Sequence, residues 1–409
     1  MKIAVIGSGI SGLSAAYYLS KKFKVDLFEQ EDQFGGHSYT FDIKNRNKTI
    51  PVDLGFIVFN KLTYPNLINF FSEIEVPFEK SNMSFSVSLR GSNMEYGGSG
   101  LGAIFANKFN IFNYKFLKMI KEIISFYKMA PSLLKMNLDN ETLGSYLEKS
   151  NFSKYFIEYH IIPMVAAIWS MPFKKAKDMP LDLFLNFFIN HGLFKLKNRP
   201  QWYTVSNRSR TYVKKVIKKI SGEVYKNYKV NKVSRSNDNV KITIGHEYLN
   251  YDHVVLASHA DQSLKLLDKP TDDEKKVLEK FKYVSNTAIL HSDNSFMPKR
   301  KLAWSSWNSI SNGNHTCVTY WLNKLQNLRC EENFFLTLNP INEINKKNVI
   351  KSINFKHPYF NLETKKYQKS LDLIQGKMRT WYCGSYFGYG FHEDGLKSAI
   401  NLYKIFRNH

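Results

Sequence analysis

Three glycines near the start of the chain have the spacing of a phosphate-binding turn. Gly7, Gly9 and Gly12 lie in Gly7-Ser8-Gly9-Ile10-Ser11-Gly12, directly after the apolar run Ile3-Ala4-Val5-Ile6. At this spacing Gly7 permits a tight turn out of a strand, and Gly9 lets the backbone approach a pyrophosphate. Gly12 lets the next helix lie close to the sheet. Ile10 and Ser11 would open that helix, whose first N–H groups and positive dipole end suit an anion. Alone the pattern is weak, because a glycine-rich turn can also hold no ligand. It gains meaning from Glu29, 22 positions after Gly7 at the end of Val25-Asp26-Leu27-Phe28-Glu29. There a carboxylate, with Gln30 beside it, can accept hydrogen bonds from ribose hydroxyls. Gly35 and Gly36, followed by His37, would then let the chain pass tightly against an extended dinucleotide.

The second concentration of chemistry is C-terminal, from Arg379 through Gly384 to Leu396. His392, as a neutral imidazole, could take a proton, or it could simply pack. Tyr386 and Tyr389 could wall a planar ligand or belong to a core. Asp394 could cap a helix running on from Gly395 and Leu396. His392-Glu393 has no second histidine at helical spacing, so no metal site is expected. Cys317, Cys330 and Cys383 are too scattered for a zinc site or a disulfide framework, which fits a reducing compartment.

The order of glycine fingerprint, acidic residue and Gly-Gly-His resembles the flavin-dependent amine oxidase and phytoene desaturase superfamily, over nearly the whole chain. His37 stands where many members carry arginine. The resemblance implies FAD as cofactor, in a glutathione-reductase-type Rossmann domain interleaved with a helix-rich α+β substrate domain. It implies that Gly384 passes the ribityl chain. The helix at Asp394-Gly395-Leu396 would start under the flavin, where negative charge develops on reduction. It also implies a strand around Val230 near the adenine, with Ala257 close to the cofactor. The wording of the tail, with Arg208-Ser209-Arg210 after Trp202-Tyr203-Thr204, is similar to a bacterial subgroup of NAD/FAD-binding proteins. That subgroup is related to flavoproteins acting on fatty acyl chains, including desaturation of methyl-branched acyl groups. His392 and Tyr389 are the catalytic candidates this places nearest the flavin.

The positioning elements alternate between two patterns. Strand–helix–strand signals predict FAD-domain pieces over 1–85, 205–270 and 375–409, with substrate-domain pieces over 86–204 and 271–374. Helical patterns cover Phe109 to Ala130, Leu143 to Trp169 and Leu181 to Leu196, a strand covers Glu223 to Val233, and a last helix starts near Gly395. Large apolar side chains such as Phe109, Phe112 and Phe184 crowd this helical insertion, with Lys108, Lys115, Lys195 and Lys197 nearby. They read either as a helical core or as an apolar tunnel with a basic mouth on a membrane. Glu158, His160 and Trp169 either line the substrate cavity or are ordinary buried polar groups. The net charge of +23 reflects either a Lys- and Asn-rich composition or attraction to an anionic membrane. No nucleic-acid motif accompanies it. The glycine loop starts so early that no signal peptide is expected, which points to the cytoplasm, with peripheral contact at the inner membrane face if the charge is functional. The expected function is dehydrogenation of a hydrophobic acyl chain by hydride transfer to flavin. The alternatives are an amine oxidase, which would use a lysine beside the flavin, or a non-catalytic FAD-binding protein.

Overall fold

The computed structural model describes residues 1–45, 48–312 and 315–407. Strand Lys2–Ile6 pairs in parallel with Lys24–Glu29 on one side and His253–Leu256 on the other. A strand with neighbours at both edges and cover on both faces needs a continuous apolar run, and Ile3, Ala4 and Val5 are fully buried. Val224–Lys226 and Thr380–Tyr382 extend the sheet in parallel to five strands. Helices Ile10–Ser20 and His392–Phe406 lie against each other beside it. Their approach is close: a Cβ on Gly395 would lie 2.7 Å from Ser11 Oγ.

A second, seven-stranded sheet runs Val349–Tyr359, Lys282–His291, Phe335–Leu338, Thr316–Trp321, Trp307–Ser311, Phe85–Leu89, Glu95–Gly97. It is antiparallel except where Trp307–Ser311 meets Phe85–Leu89. Helices Tyr114–Leu133, Leu143–Lys149, Ile162–Trp169 and Leu181–Asn190 form one apolar cluster at its side. The two halves are joined by a buried polar lock. Asp53 accepts from Ser209 N at 2.8 Å, Ser209 Oγ at 2.7 Å and Thr40 Oγ1 at 2.6 Å, while Gln326 bonds the Asp53 backbone at both N and O.

Five sequence expectations change. The helix expected over Leu181 to Leu196 ends at Asn190, with His191 as its C-cap. The helix expected over 109–130 splits at Asn113, whose side chain accepts from Phe116 N and starts Tyr114–Leu133 afresh. Before it, Lys108–Phe112 is a 3₁₀ turn. Leu143 to Trp169 breaks after Lys149 and resumes where Ser153 caps Lys154–Phe156. Glu223 to Val233 is two strands, Val224–Lys226 and Lys232–Arg235, because Asn227 takes a left-handed conformation (φ 62°). Val230 therefore sits in a connecting segment and not in a strand. The last helix begins at His392, three residues before Gly395.

Candidate functional site

Between the two sheets runs a cavity of ≈ 780 Å³. Its first limb is built from backbone. Gly7, Gly9, Ile10 and Ser11 line it, and the N–H groups at the start of helix Ile10–Ser20 are available there to an anion. A Cβ on Gly9 would have nothing within 4 Å, so the space above this residue is open. Glu29 and Gln30 lie at the far end with Val230, and Ala257 flanks the glycine loop. Glu29 braces the loop by accepting from Ser8 N at 3.0 Å and Ser8 Oγ at 2.5 Å, and it takes Glu31 N at 3.0 Å. Gly36, with φ 55°, lies so near that its Cβ would meet Gly9 Cα at 3.1 Å. Opposite the loop, Gly384 also lines the limb.

Three histidines converge on this limb from separate elements. The rings of His37 and His357 are 5.2 Å apart, and those of His37 and His259 6.3 Å. Burial holds His37 down at about 4 and His259 and His357 at about 3, so all three are neutral at pH 7. His37 Nε2 and His259 Nδ1 are buried without a protein partner. Unpartnered ring nitrogens, a helix N-terminus and an open glycine surface together match what a dinucleotide diphosphate requires.

His392 lines the cavity near Phe56 and Phe391. Its ring stacks on Phe56 at 3.7 Å and 11°, and its Nε2 meets Ser38 Oγ at 2.9 Å and Tyr212 OH at 3.3 Å. Ser38 and Tyr212 also bond each other. Burial drives the imidazole well below its ordinary value. The second limb is apolar: Ile57, Val58, Met83, Ile168, Leu193 and Leu338 line it, with Trp169, Trp307 and Tyr320. Among the described lining residues Glu29 is the sole carboxylate, and Lys356 lies on the wall beside His357.

Not every expected residue reaches the cavity. Gly12 is a packing glycine, since its Cβ would fall 1.8 Å from Gly7 O. Gly35 turns the chain at φ 116° and donates its N–H to Ser8 Oγ at 3.0 Å. Gly395 makes the helix contact described above, and Leu396 is fully buried in the nucleotide-side core. Asp394 caps the last helix, accepting from Phe391 N at 3.0 Å, and burial raises it to about 6. Tyr389, expected beside the flavin, is not among the residues that line the cavity. Its ring packs in the helical cluster 6.0 Å from Phe187, and its carbonyl accepts from Trp169 Nε1 at 3.1 Å. The chain turns at Gly390 (φ 94°), so Phe391 takes the cavity wall instead.

Of the insertion's polar candidates, Trp169 lines the cavity. His160 does not: it is a buried histidine held by Tyr96 OH at 3.0 Å and Tyr127 OH at 2.9 Å. Glu158 is surface-facing, 3.7 Å from Lys154. Sequence reasoning missed Phe56, Ser38, Tyr212, His259 and His357. Ser38 adjoins His37 and was within reach of the motif; Tyr212 and His357 come from distant elements and carry no local signal.

Comparisons with known proteins agree with this architecture. Residues 5–74 match the family described as NAD(P)-binding Rossmann-like domain. Over 194 residues the chain is 28% identical to prenylcysteine oxidase 1 of Pongo abelii, a match covering 40% of this chain and 37% of that protein. It thus spans little more than a third of the length of that relative. The structure aligns with a CLA-producing fatty acid isomerase from P. acnes at TM-score 0.69 and 14% identity, over 99% of this chain and 98% of the other. It aligns with cyclohexylamine oxidase from Brevibacterium oxydans IH-35A at TM-score 0.70 and 11% identity, over 99% of each. The fold is the Rossmann FAD-binding fold of the amine oxidase structures. Within that amine-oxidase fold the neighbours act on different compounds, so the fold leaves the substrate to the chemistry of the second limb.

Proposed function

We propose that the chain is an FAD-dependent oxidoreductase that dehydrogenates a hydrophobic acyl chain. The observation that carries this reading is the contrast between the limbs: the second is walled mainly by aliphatic and aromatic side chains, and Glu29, the sole carboxylate among the described lining residues, stands at the nucleotide end. Among the described residues an ammonium substrate would find no carboxylate there, whereas a hydrocarbon chain matches the aliphatic and aromatic walls.

FAD, held on the glycine loop with Glu29 at its ribose, would supply the hydride acceptor. The residues of the chain do the rest. The apolar walls exclude water and hold a carbon–hydrogen bond in place. As hydride leaves one carbon, the neighbouring carbon gives up a proton and a carbon–carbon double bond forms. His392 is neutral and can receive that proton, with the hydroxyls of Ser38 and Tyr212 at its Nε2 to share it. Lys356 is the feature that favours an amine oxidase as the second reading, because it lines the cavity wall.

The test is anaerobic mixing of the purified, FAD-loaded protein with phospholipids and, separately, with primary amines. Bleaching of the flavin absorbance by lipids supports the proposal. Bleaching by amines alone replaces it with the second reading, and no bleaching by either points to a non-catalytic FAD protein. A protein that takes up no FAD on reconstitution would overturn every version.

A further inference from the structure

The turn Lys108–Phe112 holds its asparagine inward and its two phenylalanines outward. In the 3₁₀ turn Lys108–Phe112, Asn110 is buried and the preceding Asn107 is equally so. Asn107 accepts from Phe109 N at 3.2 Å and donates to Asn93 O at 2.9 Å. Phe109 and Phe112 are instead 77% and 87% exposed, and Tyr114 and Leu101 are 76% and 75% exposed. Scattered exposed hydrophobics need no explanation, but a turn that spends its asparagines holding two phenylalanines in water does. Helix Tyr114–Leu133 continues the surface. Phe116, Met119, Ile123 and Phe126 face the core, while Leu117 and Ile124 are exposed along the opposite side. Leu302, also exposed, belongs to the turn Lys301–Ala303, which packs on helix Leu101–Ile104.

The exposed charges on this face are predominantly basic. Lys108, Lys115, Lys118, Lys121 and Lys128 are all exposed. The lone acid of the segment Leu101 to Lys128, Glu122, accepts from Ser153 N at 3.0 Å and from Ser153 Oγ, and lies 3.9 Å from Lys118 Nζ, so it offsets one of the five lysines. Among the described residues no helix is long and apolar enough to cross a membrane. We infer that this face is an interfacial docking surface for an anionic lipid bilayer. Its phenylalanines and leucines enter the headgroup–acyl boundary, and the lysines meet lipid phosphates. The charge complementarity commits it to a bilayer over a second copy of the chain, since two copies would oppose lysines to lysines. The surface is joined to the cavity: Leu193 lines the apolar limb, and the next residue, Phe194, packs on Phe126 and Tyr127 of the same helix.

The experiment is vesicle flotation of the FAD-loaded full chain with phosphatidylcholine vesicles, with and without phosphatidylglycerol. The expected result is binding that requires phosphatidylglycerol and weakens with salt. The pair Phe109→Ser and Phe112→Ser should weaken binding by on the order of tenfold or more. Lys115→Gln with Lys118→Gln should weaken it about fivefold per lysine. Both variants are surface changes, so unchanged flavin absorbance and melting temperature should confirm that they fold; if the phenylalanine pair does not, the lysine pair decides. Protein that stays with the buffer at every composition would overturn the inference. So would equal binding by the variants, or a concentration-dependent dimer abolished by the phenylalanine changes. Binding is independent of turnover: vesicle binding without lipid-dependent bleaching would refute the acyl reading and leave this surface standing.

Discussion

The two limbs of the cavity are held in shape by different means. The nucleotide limb is fixed by backbone: a Cβ on Gly7 would fall 3.0 Å from Ala257 O, and one on Gly36 3.1 Å from Gly9 Cα. The apolar limb is fixed by side-chain volume alone, from Ile57 and Val58 to Leu193 and Leu338. A backbone cradle tolerates almost no added atom, because the obstacle cannot rotate away. A side-chain wall can exchange one apolar shape for another at small cost. The first limb therefore specifies one class of ligand, and the second can be retuned for different chains without disturbing the fold.

The sharpest break of this contrast is a methyl group in the glycine loop that shapes the first limb. Gly12→Ala places its Cβ 1.8 Å from Gly7 O, so the loop must move. The expected outcome is little soluble protein, or protein without flavin absorbance. Gly9→Ala separates folding from binding, since nothing lies within 4 Å of its Cβ and its φ of −62° suits alanine. Its melting temperature should hold while FAD affinity, read by flavin fluorescence, falls on the order of 100-fold.

In the second limb the change that matters is polarity. Val58→Asp buries a carboxylate where the wall is apolar, and lipid-dependent flavin reduction should fall about 100-fold with flavin content unchanged. If aspartate leaves lipid reduction intact, the apolar limb is not the substrate path. His392→Gln probes the junction. It should slow reduction by about 10- to 100-fold if the ring takes a proton, with little change in bound flavin. A rate within twofold of the parent would reduce His392 to packing on Phe56 and bonding Ser38.

What was legible in the sequence follows the same division. The glycine loop, Glu29 and Gly35-Gly36 could be read because backbone demands leave glycine at fixed spacing. The parallel strands could be read because burial on both faces leaves unbroken apolar runs such as Val254-Val255-Leu256. The cavity partners brought in by tertiary packing could not. His357 meets His37 only because the second sheet lies against the first, and Phe56 meets His392 only because the segment between Lys48–Asp53 and Phe59–Asn60 packs on the start of the last helix. Tyr389 was misread for a related reason: three aromatic residues alternate with glycine in that tail, and the turn at Gly390 decides which of them faces the cavity.

The pH dependence of stability should show the cost of the dry cavity and core. His37, His191 and His291 are held down at about 4, and His160, His259 and His357 at about 3, all by burial. Between about 4 and the unfolded value near 6.5 the unfolded chain binds more protons, so stability falls as pH falls. Asp53 and Asp394, raised to about 6, act in the opposite sense over part of that window. Six histidines outweigh two aspartates. The melting temperature of the apoprotein should drop by about 5 °C or more from pH 7 to pH 5. A flat profile would mean that these rings keep access to water.

The smallest expected effect lies at the boundary between the helical core and the cavity. Tyr389→Phe removes a hydroxyl whose ring lies beside Phe187 in the helical cluster, and leaves the carbonyl that receives Trp169 Nε1. Lipid-dependent reduction should therefore stay within about twofold of the parent, with no change in flavin spectrum. Phe391→Ala changes the neighbouring wall. Phe391 lines the cavity and stacks on Phe187 at 4.8 Å, so its loss should widen the limb and raise KM for the acyl substrate more than it lowers kcat. If Tyr389→Phe proved the more damaging of the two, the turn at Gly390 would have to open during turnover and bring the tyrosine to the substrate.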